Sequence, residues 1–410
     1  LGYLTVKTVE EVNEILASFK VNREIERIKI FEGLNRELAR DIYAPISLPP
    51  FNRSAVDGYC VNWEDVSGAS ESLPIFLKVV ENIEMGQKPK KQLGRDEAMM
   101  VATGSMLPEG ANAVVMVEET ESLAEDEVAI YSSVACYENV LLAGEDVKQG
   151  ELVLPKGTKL TPENISLLAA LGITEVEVLQ RIVVGILSTG DELVELGEEI
   201  NLGQIYNSNG PGLIAAVSSC GAIPRYYGII KDDFNILKES LEKAVRECQL
   251  VILTGGTSIG TKDYVVKAIE GLGKPGVLVH GIAIKPGKPT IIGAVNSIPI
   301  FGLSGNPFSA LLGFRLFVQK LLAPTEEVFV EGKVARNIPS TGGRRDYIPV
   351  NIVKKEDGLW LNPIFSKSNS IGVLSKMDGL LVIESGSEGL EEGQIGKVLL
   401  KEGKSYGLFK

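Results

Sequence analysis

The sequence predicts a multidomain chain of class α/β plus β. Strand and helix patterns alternate from 180 to 323. Short strands divided by proline, glycine and serine occupy 46–141 and the stretch beyond 324. At 410 residues the chain is too long for one ordinary core, so several domains are expected.

The segment TVEEVNEILASF at 8–19 places Val9, Val12, Ile15, Leu16 and Phe19 at helical spacing. IFLKVVEN, AMMVAT, AVVMVEE and EVAIYSS then read as strands of a β-rich unit. A second helix is expected at 161–171, with Thr161 as N-cap, Pro162 in the first turn and Gly172 beyond the end. Packing of this helix on the N-terminal one would make a discontinuous domain bracketing the β unit.

From Arg181 onward IVVGILSTG, RYYGIIK, QLVILTGG, TIIGAV and IPIFGLSG read as strands. PGLIAAVSSCGA, FNILKESLEKAVREC, KDYVVKAIEGLG and NPFSALLGFRLFVQKLLA read as helices between and after them. Such alternation predicts a parallel sheet covered on both faces. Pro324 closes this domain. RDYIPVNIVKK, LWLNPIF, GLLVIES and GKVLLKE then predict a small C-terminal barrel or sandwich. The expected division is 1–45 plus 142–179, then 46–141, 180–323 and 324–410.

The formal net charge of −13 argues against a nucleic-acid partner, so an anionic ligand needs local donors, helix N-termini or a metal. Cys60, Cys136, Cys220 and Cys248 form no C-x-x-C pair, which points away from zinc and disulfides and toward a reducing compartment. Neither a signal peptide nor an apolar run long enough for a membrane span is evident, so a cytoplasmic protein is expected. One histidine, His280, rules out histidine-rich metal sites and leaves carboxylates, lysines, hydroxyls and backbone groups to carry the chemistry.

Glycine-rich strand-to-helix turns supply the candidate site. They are Ser188-Thr189-Gly190-Asp191-Glu192, Lys231-Asp232-Asp233, the run from Gly255 to Asp263, and Ser304-Gly305-Asn306-Pro307. Ligands of open parallel sheets bind beyond the carboxyl ends of the strands. Backbone N–H groups of Gly190, Gly255, Gly256, Ser258 and Gly260 are suited to an anion. The run G-x-x-x-x-G-Thr261-Lys262 transposes the last two residues of a P-loop, so an ordinary P-loop nucleotidase is not supported. Glu192, Asp232 and Asp263 beside a phosphate site would repel it unless they hold a cation, for which Mg2+ is the default. N-capping and solvated helix starts are the plainer alternative for each carboxylate. Lys285 and Lys288, in a loop stiffened by Pro286 and Pro289, are candidate anion donors. An upstream set holds Asp57 in NRSAVDGY, Thr103 in TGSMLPEG and Asp146 in GEDV, and chain-local reasoning does not join it to the α/β turns.

These segments, with YNSNG (206–210), IKPGKP (284–289), SGNPFSA (304–310) and GRRDY (343–347), together resemble the MoeA family of molybdopterin molybdenumtransferases. The E domain of gephyrin is the animal counterpart. The resemblance spans nearly the whole chain. Departures from the commoner pattern are Val56, Cys60, Asn112, Thr257, Ile259 and Ser304, the last in place of a proline.

The resemblance implies an elongated homodimer in which a MogA-like α/β/α domain binds the pterin and its phosphate. It implies that the domain bearing NRSAVDGY faces the α/β domain of a second subunit. It also implies roles for Asp57, Thr103, Asp146, Glu192, Asp232, Asp263, Lys285, Lys288, Ser304 and Pro307, with Asn306 in the same turn. The expected reaction is insertion of molybdate into adenylylated molybdopterin with Mg2+-dependent release of AMP. Asp57 and Asp263 would orient water or molybdate, and the lysines would bind anionic oxygens. Contact with a MogA-like adenylyltransferase is a further expected partnership. The alternatives are adenylylation of molybdopterin itself and a non-enzymatic dimeric scaffold.

Overall fold

The computed structural model describes residues 6–256, 264–323, 327–365 and 371–401. The chain divides into two compact units, Ile25–Leu179 and the remainder.

The larger unit is built on a six-stranded sheet. Val183–Thr189, Ile223–Ile230, Leu250–Thr254 and Ile298–Leu303 run parallel. The apolar runs of Val183–Thr189, Leu250–Thr254 and Ile298–Leu303 are buried on both faces, as a covered parallel sheet requires, while Ile223–Ile230 lies at the edge and is only partly covered. Alternate residues point to opposite faces, so Leu250 and Ile252 enter one core while Val251 and Leu253 enter the other. Helices Phe234–Glu247 and Tyr264–Leu272 cover the second core through Leu237, Leu241, Val265 and Ile269. Each such side chain contributes roughly 1.5–3 kcal/mol on burial.

The sheet corrects one expectation, since it is mixed rather than parallel. Ile291–Val295 runs antiparallel to Ile298–Leu303, and Pro275–His280 antiparallel to Ile291–Val295. Asn296 and Ser297 join the hairpin with positive φ values of 49° and 69°, the left-handed pair that a two-residue hairpin turn demands.

The N-terminal helix is a second correction. Val9–Ser18 begins with a capping box: Thr8 Oγ1 accepts the Glu11 N–H (3.2 Å) and the Glu11 carboxylate accepts the Thr8 N–H (2.7 Å). Its Val9, Val12 and Leu16 share a core with Ile182 and Val184 at the first α/β strand and Leu213 on the helix that follows. The other helix, Pro162–Ala170, buries Leu168 against Ile28, Leu38 and Val176 instead. The two helices therefore serve different cores.

Beyond 327, five strands close into a barrel. Arg345–Lys355 pairs with Gly358–Pro363 and with Gly379–Ile383, and Phe329–Val334 and Ile395–Leu400 complete the ring. Closure leaves no free sheet edge within the ring. Ile284–Lys285 adds to the barrel beside Arg345, so the lysine loop of the α/β domain is anchored by the barrel.

In the smaller unit, Ile25–Lys29 pairs with Glu175–Leu179 and Ile42–Tyr43 with Leu152–Leu154. Residues 25–45 and 142–179 are thus joined in space. Between them lies a six-stranded sheet, with strands Gly58–Val61, Glu97–Val101 and Ala113–Met116 at one side. No described helix is long and apolar enough to cross a membrane.

Candidate functional site

Two groups of candidate residues arise, one in each unit. In the smaller unit the three upstream motifs form one platform. Asn52 accepts the Leu107 N–H on its backbone oxygen (2.9 Å) and the Ala143 N–H on its side chain (2.8 Å). Ser54 N–H donates to Ser105 O (3.0 Å), and Asp146 N–H to Leu48 O (3.1 Å). Segment 48–57 is therefore bonded both to 103–107 and to 142–147.

Asp57 stands at the exposed rim, immediately before the buried strand Gly58–Val61. Gly58 lets that strand pass close to its neighbour, because a Cβ there would meet Val115 O at 1.9 Å. The Asp57 carboxylate accepts both the Thr103 N–H (2.6 Å) and the Thr103 Oγ–H (2.9 Å). These bonds, the backbone one foremost, hold its carboxyl below the ordinary aspartate range. Asp57 thus stays ionised at neutral pH, and its stabilising effect is present above the unfolded value and lost as acid protonates it below about pH 4. Thr103→Val removes the smaller of the two bonds. NMR titration of the Asp57 carboxyl should show its pKa rise partway toward the ordinary value. An unmoved pKa would mean that the hydroxyl contributes nothing.

Two departures from the family pattern find local explanations here. Cys60 is buried between Met99 and Val114, and burial pushes its thiol up to about 12. Asn112 accepts the Trp63 N–H on its side chain (2.8 Å), a role that an aspartate would fill equally.

In the larger unit, turns gather at the carboxyl ends of the parallel strands. Ser188 and Thr189 are the last residues of Val183–Thr189 and are buried. Their hydroxyls are committed internally, Ser188 Oγ to Asn207 and Thr189 Oγ to Thr254 O (3.2 Å). Expected as ligand-binding groups, both serve to hold the turns. Asp191 Oδ1 accepts the Asp232 N–H (3.1 Å), which ties the first turn to the second. Glu192 is exposed, and its carboxylate lies over Gly190. Asp233 caps the following helix through the Asn235 and Ile236 N–H groups (2.8 and 3.0 Å), the plainer role foreseen for such carboxylates.

Gly255 donates its N–H to Leu303 O (3.3 Å), and Gly256 follows it exposed. Ser258, Gly260 and Asp263 lie outside the described residues. Among the described residues no group of three His, Cys, Asp or Glu side chains converges on a metal position. Ser304 Oγ accepts the Asn306 N–H (3.2 Å), so this serine stiffens its turn by a hydrogen bond where the family's proline does so by its ring. Asn306 caps the helix beginning at Pro307 by accepting the Phe308 and Ser309 N–H groups (3.1 and 3.4 Å). Lys285 and Lys288 are exposed on the next loop, which Thr290 Oγ braces by donating to Gly287 O (2.7 Å).

Residues not singled out from sequence complete the site. Asn207 is buried and donates to Ser188 Oγ (3.0 Å) and to Tyr226 OH (2.7 Å). Tyr226 OH donates to Glu195 (2.6 Å), and burial followed by this carboxylate raises the phenol's pKa. Only the YNSNG motif contained a signal for any of these.

The comparisons agree along most of the chain. Residues 7–172 match the MoeA N-terminal region (domain I and II), 185–324 a probable molybdopterin binding domain, and 331–401 the MoeA C-terminal region (domain IV). A molybdopterin molybdenumtransferase of Bacillus subtilis is 32% identical over 402 residues, covering 96% of this chain and 93% of the relative. One of Staphylococcus aureus is 32% identical, covering 92% and 91%. A crystal structure of the molybdopterin biosynthesis MoeA protein from Pyrococcus horikoshii superposes with a TM-score of 0.86 at 37% identity, covering 97% of this chain and 99% of that one.

Proposed function

The chain belongs to the MoeA family, the molybdopterin molybdenumtransferases of molybdenum cofactor biosynthesis, and from that premise we propose that it inserts molybdate into adenylylated molybdopterin with release of AMP. The observation that carries this reading is the gathering of turns 190–192, 231–233, 255–256 and 304–307 at the carboxyl ends of parallel strands, where phosphates bind. The sulfurs that take the metal belong to the substrate, so the protein supplies positioning and electrostatics.

Glu192 and Asp232, with Asp263, are the residues that would hold Mg2+. Their oxygen donors suit a hard cation, and the Asp191–Asp232 bond sets two of their turns side by side. Bound there, Mg2+ would neutralise phosphate charge. Lys285 and Lys288 hold anionic oxygens at the same end of the sheet. Asp57, with Asp263, orients water or molybdate, steadied by Thr103, with Asp146 on the same platform. In this reading the platform reaches the α/β site of a second subunit, so the working unit is a homodimer and a dissociated monomer inserts no metal. The division into 46–141, 180–323 and 324–410 is retained as part of it, with 142–179 joined by 25–45 and not by the N-terminal helix. Free thiols suit a cytoplasmic setting.

The test supplies adenylylated molybdopterin, Mg2+ and molybdate, and measures AMP and active cofactor. Absence of AMP release overturns the proposal, and consumption of ATP with free molybdopterin would assign the preceding adenylylation instead. In the same assay Lys285→Ala and Lys288→Ala should each raise KM for the pterin substrate by roughly tenfold, the worth of one charge-assisted hydrogen bond. Both lysines are exposed, so the thermal midpoint should hold.

A further inference from the structure

We infer that Asn209 is a positioning residue of this site. Its amide nitrogen clamps the Ser304–Pro307 turn, and its amide oxygen waits for an N–H or O–H donor on the bound substrate. The inference rests on the function proposed above.

Asn209 opens the helix Asn209–Ser219. Its Nδ2 donates to Gly305 O (2.9 Å), across the sheet's carboxyl end. That contact fixes which way the amide faces, because the reversed amide would set two carbonyl oxygens together. The Oδ1 atom is then buried and has no hydrogen-bond partner among the described residues. A buried acceptor left unpaired is unfavourable, and a bound ligand is one means of satisfying it. Phosphate oxygens of a diester carry no proton at neutral pH. A substrate group that satisfies Oδ1 would accordingly be an amino, ring N–H or hydroxyl group and not a phosphate oxygen.

The base of the clamp is rigid. Asn207, two residues earlier, accepts the Gly210 N–H (3.0 Å) while donating to Ser188 Oγ and Tyr226 OH, so the chain entering Asn209 is tied to strand Val183–Thr189. At the far end Gly305 lies against Gly255: a Cβ on Gly305 would stand 3.5 Å from the Gly255 Cα. One side chain thus sets the spacing between the first turn and the turns that begin at Gly255 and Ser304. Sub-ångström control of such spacing is what positioning catalysis needs.

Two variants separate the two halves of the amide. Asn209→Ala removes both. Amide hydrogen exchange across 304–309 should become faster by about tenfold or more, and KM for adenylylated molybdopterin should rise by about tenfold or more, with the global melting midpoint unchanged. Asn209→Asp keeps an acceptor but loses the donor until its carboxyl is protonated. Its kcat/KM relative to wild type should therefore climb as pH falls from about 8 toward about 5, a recovery that a purely structural role would not produce. Unchanged exchange in Asn209→Ala, or a flat pH ratio in Asn209→Asp, overturns the clamp. Faster exchange with KM held within about twofold overturns the ligand contact. Wild-type protein that releases no AMP would defeat the proposed function, and the exchange measurement would still decide the clamp.

Discussion

Gly255→Ala should cost both stability and activity. Gly255 has φ +88°, and a Cβ there would lie 2.1 Å from Thr189 O and 2.8 Å from Thr189 Oγ1. The first obstacle is backbone of a buried strand, which cannot rotate away as a side chain could. Left-handed backbone strain of about 1–3 kcal/mol adds to a steric penalty of similar size. The turn would be pushed off Thr189 and away from Leu303 O, its hydrogen-bond acceptor. Displacement near 1 Å at a positioning site costs on the order of a hundredfold in rate. The expected result is a melting midpoint lowered by several degrees and AMP release reduced by at least about a hundredfold. A variant with wild-type midpoint and rate would show that the turn yields freely and that its position does not matter.

Asp57→Asn should cost activity and leave the fold intact. An amide oxygen can still accept the two Thr103 hydrogens that bind the carboxylate, so the platform keeps its shape. The residue is exposed, and no core contact is lost. What disappears is a negative charge and a proton acceptor, and groups in that role contribute about 10²–10⁴ in rate. Steady-state AMP release should fall by that order in kcat, while the thermal midpoint stays within about a degree. Unchanged kcat would remove Asp57 from the chemistry and leave it a loop brace.

The two variants differ because the residues depend on their surroundings differently. Gly255 acts through what its missing side chain permits. In the proposed function Asp57 acts through the charge that Thr103 keeps in place.

Much of the candidate site was legible before any coordinates. Strand ends followed by glycine, carboxylate and proline identified the turns, since strand period, helix caps and glycine preference are all local effects. Thr161 illustrates this, capping the helix Pro162–Ala170 as its position predicts. Other parts were not legible because they are settled by partners distant in the chain. Ser188 and Thr189 looked available to a ligand, yet Asn207 and Thr254 take their hydroxyls. Asp191, not Glu192, ties the first turn to Asp232, a choice that depends on how two loops meet.

By itself, the sequence determined the order of elements, their caps, the glycines at the turns and the presence of carboxylates and lysines beside them. It also contained the ordered motifs that mark the family. Tertiary structure alone decided that Val9–Ser18 packs on the α/β sheet rather than beside Pro162–Ala170. It decided that Ile291–Val295 runs against its neighbour, that the last strands close into a ring, and that Asn52 joins the motifs around 54, 105 and 143. The physical reason is range. Backbone preference and hydrophobic period act over a few residues and can be read along the chain. Which apolar face meets which, and which buried donor finds which acceptor, depends on the free energy of the whole packed unit, where residues far apart in sequence compete for the same partner.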